Sequence, residues 1–474
     1  MENVQGLDRP RNRSRKRLTQ PKVLVTGVLL AAMALAACGS GTSTAKSGDT
    51  TVTTAKNAPV DTKLGDGVTA DSVKLGVALV DFKEIEQFTD TIRTKAEQQQ
   101  IYKAFIDDIN AKGGIAGRKI VPVYKYYSPL GSANILPLCT SFAQDDHVFA
   151  VVGTFIDFSG DAQTCIAKQE KRVLMTFNLT KAIMDKSPGG LIVTAGSIPE
   201  RSATILLALL KKENTLKGKT VAILGDTNET AVVKGTIEPA VKATGAKTGT
   251  TAILSVDPKG DTTAAQSQLD SFMEKWKTEG VNALFLSGNL ASTKQFVAKV
   301  KAKFPDMLLM SDNTDVLSQA QQEQQSGVKP NPYEGILTAG GLSPQEYTAS
   351  DNWKYCAAIY KKATGKVAPD ATQTIKTKDG KIDDTYGTIN DACQTLTMFR
   401  DIGTKVGKYL NNPNWINTVN TFGPIENRGS GPYSSLHTGK YSADDNWRLQ
   451  SYDSSLGDTG LWKAETPLEN VTGG

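Results

Sequence analysis

From residue 72 onward, short apolar runs alternate with longer stretches in which apolar side chains recur every three or four positions. The first pattern fits a strand buried on both faces, the second an amphipathic helix lying against it. VKLGVALV, residues 73–80, predicts a strand, and the stretch through IRTKAEQQQIYKAFIDDINAK predicts a helix. Gly113-Gly114 ends that helix, since glycine enters the left-handed cap conformation without a side-chain penalty. A strand at 119–126, a helix at about 131–144, a strand at 148–153, a helix at about 159–169 and a strand at 173–177 continue the series.

A second series begins near residue 191 with LIVTAG. The strands TVAILGD, TGTTAILSV, ALFLSGN, MLLMSD and GILTAG follow, separated by amphipathic helices that start with PERSATILLALLKKE and end with a glutamine-rich helix at 315–325. DNWRLQSYD reads as a terminal strand. Alternation at this spacing predicts an α/β protein with mostly parallel sheets covered on both faces. Two doubly wound units in one chain predict a cleft between lobes, where ligands bind at the carboxyl ends of strands.

The start of the chain departs from this pattern. Seven basic residues against two acidic ones in the first 37 account for the whole net charge of +5, so the rest is formally neutral. The body therefore carries no basic footprint for nucleic acid, and two histidines in 474 residues argue against a histidine-based metal or catalytic centre. The basic segment precedes the uncharged run VLVTGVLLAAMALAAC, which is short for a membrane span and has the form of an export signal. Leu35-Ala36-Ala37-Cys38-Gly39 resembles a bacterial lipobox. That resemblance implies cleavage before Cys38 and a diacylglycerol on its sulfur, two chains anchoring better than one. Residues 38–71, rich in Gly, Ser, Thr and Asp, are expected to form a flexible tether. The long leader and Thr-rich tether fit a Gram-positive actinobacterial lipoprotein held on the extracytoplasmic face of the cell membrane.

Four further cysteines suit an oxidising compartment. They allow three pairings, and the sequence does not choose among them. Nearest-neighbour bridges Cys139–Cys165 and Cys356–Cys393 are expected because each pair falls within one structural unit. None lies in a CxxC, which argues against redox catalysis.

Ile109-Asn-Ala-Lys-Gly-Gly-Ile-Ala-Gly-Arg-Lys-Ile120 resembles the helix-turn-strand signature of the type I periplasmic binding proteins, in the branch related to the branched-chain amino acid receptors of ABC transporters. VVGTFIDFSG, RVLMTFN and the Cys139/Cys165 spacing resemble that branch's third strand with its loop, its fourth strand and its first-lobe disulfide. The resemblance covers residues 72 to about 455 and implies two Rossmann-like lobes joined by a three-strand hinge. Crossovers are expected near 194–197, 308–313 and 422–426. Lobe one would comprise 72–195 and 312–424, and lobe two 196–311 with the tail 425–474. Lobe closure over a small solute would present a closed shape to an ABC permease, in a monomer needing neither metal nor cofactor.

Strand-end loops supply the candidate ligand contacts. In lobe one these are Phe155, Asp157, Ser159, Phe177 and Asn178, with Ser159 matching a serine that receives the ligand carboxylate in the amino acid receptors; the same residue suits an ordinary helix N-cap. Lobe two offers Asn228, Glu229 and Asn289, and Asp312 and Asn313 lie at the expected re-entry into lobe one. The family's aromatic-containing YG pair is replaced by Asn228-Glu229-Thr230, so neither an aromatic wall nor an amine-accepting acid transfers directly. Glu229 suits a cation or simply a first helical turn. Asp157 and Asp312 together would favour a cationic or hydroxyl-rich solute.

The tryptophans and tyrosines of the C-terminal third fit core packing better than sugar stacking, because Trp353 and Tyr360 follow helical spacing. Residues 412–441 are expected to be irregular and 363–384 to be a surface insertion. No HExxH, phosphate loop or GxSxG elbow is present, so a non-enzymatic receptor is expected. A solute sensor or envelope-interaction protein is the alternative, followed by an enzyme reusing the fold.

Overall fold

The computed structural model describes residues 59–85, 91–129, 132–155, 161–177, 179–255, 262–313, 316–370, 372–373 and 375–473. The leader, Cys38 and the tether to residue 58 lie outside the described residues. Among those described, no helix is long and apolar enough to cross a membrane.

The first sheet contains β1 (Ser72–Val80), β2 (Lys119–Tyr127), β3 (Ala150–Gly153), β4 (Val173–Met175) and β5 (Ile192–Val193). Its order is 2-1-3-4-5 and every pairing is parallel. The second sheet contains β6 (Thr220–Asp226), β7 (Lys247–Leu254), β8 (Ala283–Leu286), β9 (Leu308–Ser311), β10 (Leu337–Gly340), β11 (Asn446–Asp453) and β12 (Leu461–Ala464), in the order 12-11-10-9-8-6-7. Only β11 runs against the other strands of that path, pairing antiparallel with both β10 and β12. Chain direction across each sheet reverses at one place, between β1 and β3 and between β6 and β8, where open parallel sheets leave a crevice.

The motif from Ile109 to Ile120 is structural. Helix α1 (Lys95–Ala111) is capped by Thr94 Oγ1, which accepts the Glu97 amide, and buries Ile101, Phe105 and Ile109. At its end Gly114 has φ +68°, and a Cβ there would lie 1.9 Å from the Arg118 carbonyl. Asn110 then grips β2 through both side-chain atoms, Oδ1 accepting the Ile120 amide at 2.7 Å and Nδ2 donating to its carbonyl at 2.9 Å. Arg118 is buried and donates to the carbonyls of Thr69, Gly407 and Lys408.

Both expected disulfides are present, with Cα–Cα separations of 6.1 Å for Cys139–Cys165 and 5.8 Å for Cys356–Cys393. The second staples helix α3 (Asp351–Thr364) to α4 (Thr385–Val406), numbering as α2 the helix Pro199–Lys212. Trp353, Tyr360, Trp415, Trp447, Tyr452 and Trp462 are buried, as core packing requires. Each such side chain contributes up to about 3 kcal/mol.

Several expectations need correction. Residues 60–71 are not free: Asn414 Oδ1 accepts the Val60 amide at 2.6 Å, Asn411 Nδ2 donates to the Lys63 carbonyl at 2.6 Å and Gly65 donates to Leu410. Val68 is buried and Asp66 pairs with Arg172. The polar composition that suggested a tether here supplies backbone groups for two asparagine side chains. Residues 412–420 form a helix, capped by Asn411 and holding Trp415 inside, where an irregular stretch was expected. The insertion at 363–384 pairs in part, Ile382–Asp383 lying parallel to Thr91–Ile92.

The lobe boundaries also differ. β10 pairs with β9 and β11, and Val316, Ala320, Tyr333 and Ile336 share a core with Leu284 and Leu286. Residues 312–340 therefore belong with the second sheet, although the expected boundary assigned them to lobe one. Residues 344–443 pack with the first sheet, including Ile425, Leu436 and Ala443 of the segment expected in lobe two. The chain passes between the lobes near 194–198, 341–343 and 444–445, so only the first expected crossover coincides.

The first and third passages are welded. Thr194 donates its amide to Tyr441 O, and its carbonyl accepts from Ala443 N. Asp445, 1% exposed, takes Arg201 Nη2 of α2 at 2.7 Å and Lys440 Nζ of lobe one at 3.0 Å. Arg201 also donates to the carbonyls of Asp444 and Val471. Burial pushes the Lys440 ammonium down to about 8, the Arg201 charge adding to this and Asp445 opposing it. Breaking one partner out of a buried ionic group leaves the others uncompensated, at a cost of about 3–5 kcal/mol. Asp445→Asn is therefore expected to destabilise the protein by about that amount, read as a lower urea midpoint with unchanged slope.

Candidate functional site

At the carboxyl ends of β6, β8 and β9 the sequence puts an acid or a small polar residue immediately after an apolar run. TVAILGD ends in Asp226, ALFL leads into Ser287-Gly288, and LLMS into Asp312. The apolar residues fix each strand in the sheet, so the next residue emerges at the switch-point crevice.

Asp226 is buried, and its Oδ1 accepts the Asn228 amide at 2.9 Å, capping the short turn Thr227–Glu229. The turn brings Glu229 back over the start of the helix Gly288–Ala291. Gly288 has φ +82°, and a Cβ there would lie 2.4 Å from Glu229 Cγ and 3.2 Å from Asp226 Oδ2. Asp312 is 6% exposed; its Oδ2 accepts Ser287 Oγ at 2.9 Å and its Oδ1 the Gly288 amide at 3.4 Å. From the first turn of α2, Glu200 adds a fourth carboxylate, close enough to act electrostatically on both Glu229 and Asp312.

Neither Glu229 nor Asp312 forms an ion pair with a cation among the described residues. Burial, with Asp312, Asp226 and Glu200 adding repulsion, pushes the Glu229 carboxyl up to about 8. Burial raises Asp312 to about 7 against the opposing hydrogen bonds of Ser287 and Gly288. Oε2 of Glu229 is buried and makes no hydrogen bond among the described residues. Crowded carboxylates in a low dielectric hold either protons or a cation.

The structure thus brings Glu229 and Asp312 together and adds Asp226, Glu200, Ser287 and Gly288, which sequence reasoning missed. Asp226 had a usable signal as the terminal acid of an apolar strand, whereas Glu200 resembled any first-turn acid. Asn228 is exposed, Asn289 lies in the helix Gly288–Ala291, and half-buried Asn313 donates its amide to Ser311 Oγ at 3.1 Å.

Lobe one differs from expectation at Phe155. Its side chain is fully buried and stacked on Tyr127, ring centroids 5.9 Å apart, so it is a core residue and not a cleft wall. The backbone there turns through φ +45°, which sends the ring inward. Phe177 is half-buried beside Gly196. Asp157, Ser159 and Asn178 lie outside the described residues. The one grouping of metal-ligand atoms among the described residues is Cys139, Cys165 and Glu170, and its two sulfurs are joined in a disulfide.

Because the folded pKa values exceed the reference values of 4.5 for Glu229 and 3.8 for Asp312, the native state holds extra protons above those values. Stability from these groups is then lost as pH rises towards about 8 for Glu229 and about 7 for Asp312. Glu229→Gln should gain stability over the parent progressively across that window, and a difference that stays flat in calorimetry from pH 5 to about 8 contradicts the assignment.

Residues 96–376 match the family described as periplasmic binding protein. No curated protein matches the sequence. Among solved structures, a solute-binding protein of an ABC transporter from Rhodopseudomonas palustris, in complex with 4-hydroxybenzoate, is 17% identical with a TM-score of 0.60, covering 85% of this chain and 98% of its own. A fatty acid ABC transporter substrate-binding protein from Thermomonospora curvata is 15% identical, with a TM-score of 0.59 and coverage of 87% and 95%. A leucine binding protein from Thermotoga maritima is 12% identical, with a TM-score of 0.58 and coverage of 84% and 99%. At these identities the structural likeness concerns the fold. With two α/β lobes, three interlobe passages and a family match over more than half its length, the chain belongs to the type I periplasmic binding protein family.

Proposed function

We propose that this protein is the extracytoplasmic receptor of an ABC importer, tethered to the membrane by lipid on Cys38, that captures a small solute carrying a cationic group between its lobes. The observation that carries this reading is the meeting of Glu229 and Asp312, beside Asp226, at the switch point of the second sheet without a protein cation among the described residues. A ligand ammonium placed there removes the mutual repulsion that raises both pKa values, and the gain is largest where those groups would otherwise ionise unpaired. Closure follows if the remainder of the solute is held by lobe one, since only a ligand with higher affinity for the closed form shifts the population. An anion such as 4-hydroxybenzoate or a fatty acid carboxylate would meet repulsion at this end of the cleft.

Thermal unfolding of the purified protein against amino acids, amines, short peptides, polyols and aromatic acids tests this directly. A cognate solute at a hundred times its Kd adds about 2.7 kcal/mol. The expected hits are cationic or zwitterionic, strengthen as pH rises from about 6 to about 8, and weaken in Glu229→Gln and Asp312→Asn. A selective shift from an anionic or uncharged solute, or none from any class, overturns the proposed ligand chemistry.

Membrane attachment is checked separately. Labelled fatty acid fed to the expressing cell should be incorporated into the parent chain and not into Cys38→Ser. Equal incorporation into both would contradict lipid anchoring at this residue.

A further inference from the structure

Glu200 stands where the two lobes meet the acidic cluster. It lies just past the first interlobe passage, in the first turn of α2, whose residues Ala203, Leu206 and Leu210 pack in the second lobe. Its Oε1 accepts the backbone amide of Lys181 at 2.9 Å, and Lys181 opens the short helix Lys181–Met184 between β4 and β5 of the first lobe. Its Oε2 is buried with no hydrogen-bond partner among the described residues. The same side chain raises the pKa of both Glu229 and Asp312.

We infer that Glu200 is the positioning residue that couples the charge state of the lobe-two site to the angle between the lobes. One oxygen holds a lobe-one amide while the other belongs to the electrostatic field of the lobe-two carboxylates. Charge on Glu229 and Asp312 repels the Glu200 carboxylate that holds the Lys181 amide, and a cation among the carboxylates removes that repulsion, so the interlobe bond responds to the charge state of the site. The charged side chains that face Glu200 are Glu229 and Asp312 from the second lobe and Lys181 and Asp185 from the first. The ligand half of this coupling rests on the solute-receptor reading above, whereas the interlobe half needs no ligand.

The test uses the full chain with nitroxide labels carried by keto amino acids at the exposed positions 119 in the first lobe and 277 in the second, read by pulsed electron spin resonance. Glu200→Gln keeps an oxygen for the Lys181 amide and should preserve the interlobe distance distribution of the parent. Glu200→Ala loses that acceptor, and its distribution should broaden towards longer distances. An unchanged Glu200→Ala distribution, or equal broadening in both variants, overturns the interlobe role. The second readout is the pH dependence of the urea midpoint. Glu200→Gln removes one negative charge beside Glu229 and Asp312, so the pH range over which they lose stability should move down. An unmoved range overturns the coupling to the site, and this measurement decides the matter if the alanine variant does not fold. Neither readout involves a solute, so failure to find a ligand and failure of Glu200 as the coupling residue remain distinct results.

Discussion

Asp445 accepts an ion pair from Arg201 of the second lobe and another from Lys440 of the first, at a point where the chain crosses between them. All three side chains are nearly inaccessible to water, and apart from Arg201 Nε, which is buried without a hydrogen-bond partner among the described residues, further hydrogen bonds support the group. Ser435 Oγ donates to the second oxygen of Asp445, and Lys440 donates to the carbonyls of Ser435 and Ser442. Arg201 lies over the Trp447 ring at 5.4 Å. A hydrophobic plug of equal volume would be at least as stable, but it would not fix direction. Charged hydrogen bonds do, and they set two of the three passages relative to each other.

The second passage is held in a related way. Arg448 of β11 donates to the Gly341 carbonyl and pairs with Glu346 in the opening turn of the helix Pro344–Ala349, which packs in the first lobe. The second and third passages are thus each tied by an arginine of the second lobe, and the first by the backbone hydrogen bonds of Thr194 to the third. The site lies beside this frame. Glu200 follows Pro199 at the start of the same helix that carries Arg201, so hinge and acidic cluster share the first turn of α2.

The cluster itself depends on spacing that few residues permit. Glycine at 288 leaves room for the Glu229 side chain to cross the end of β8, and any Cβ would collide with it. Ser287 and the Gly288 amide supply hydrogen bonds that hold Asp312 without neutralising it. Glu229 and Asp312, crowded without an ion pair to a cation among the described residues, carry stored electrostatic cost of the kind that clusters at functional sites.

Element identity was legible in the sequence because it depends on local periodicity. The strands from VKLGVALV to GILTAG, the glycine stop after α1 and the burial of Trp353 and Tyr360 follow from patterns within a few dozen residues. Membership of a lobe was not. GILTAG is apolar on both faces and would suit the centre of either sheet; only the hydrogen bonds of β10 to β9 and β11 assign it to the second. The docking of residues 60–71 on Asn411 and Asn414 spans some 350 positions of sequence, beyond the reach of any local pattern. Glu229 and Asp312 were visible as strand-end acids, yet the sequence treated them as separate loops. Phe155 was placed at the cleft by its position after a strand, and the turn of the backbone put it in the core. The sequence by itself determined the strands and helices of the α/β alternation, the α/β class and the residue types at each strand end, since these are local or periodic properties. The tertiary structure decided which strands are neighbours and which acids share one dielectric environment, because both are set by packing between segments far apart in the chain.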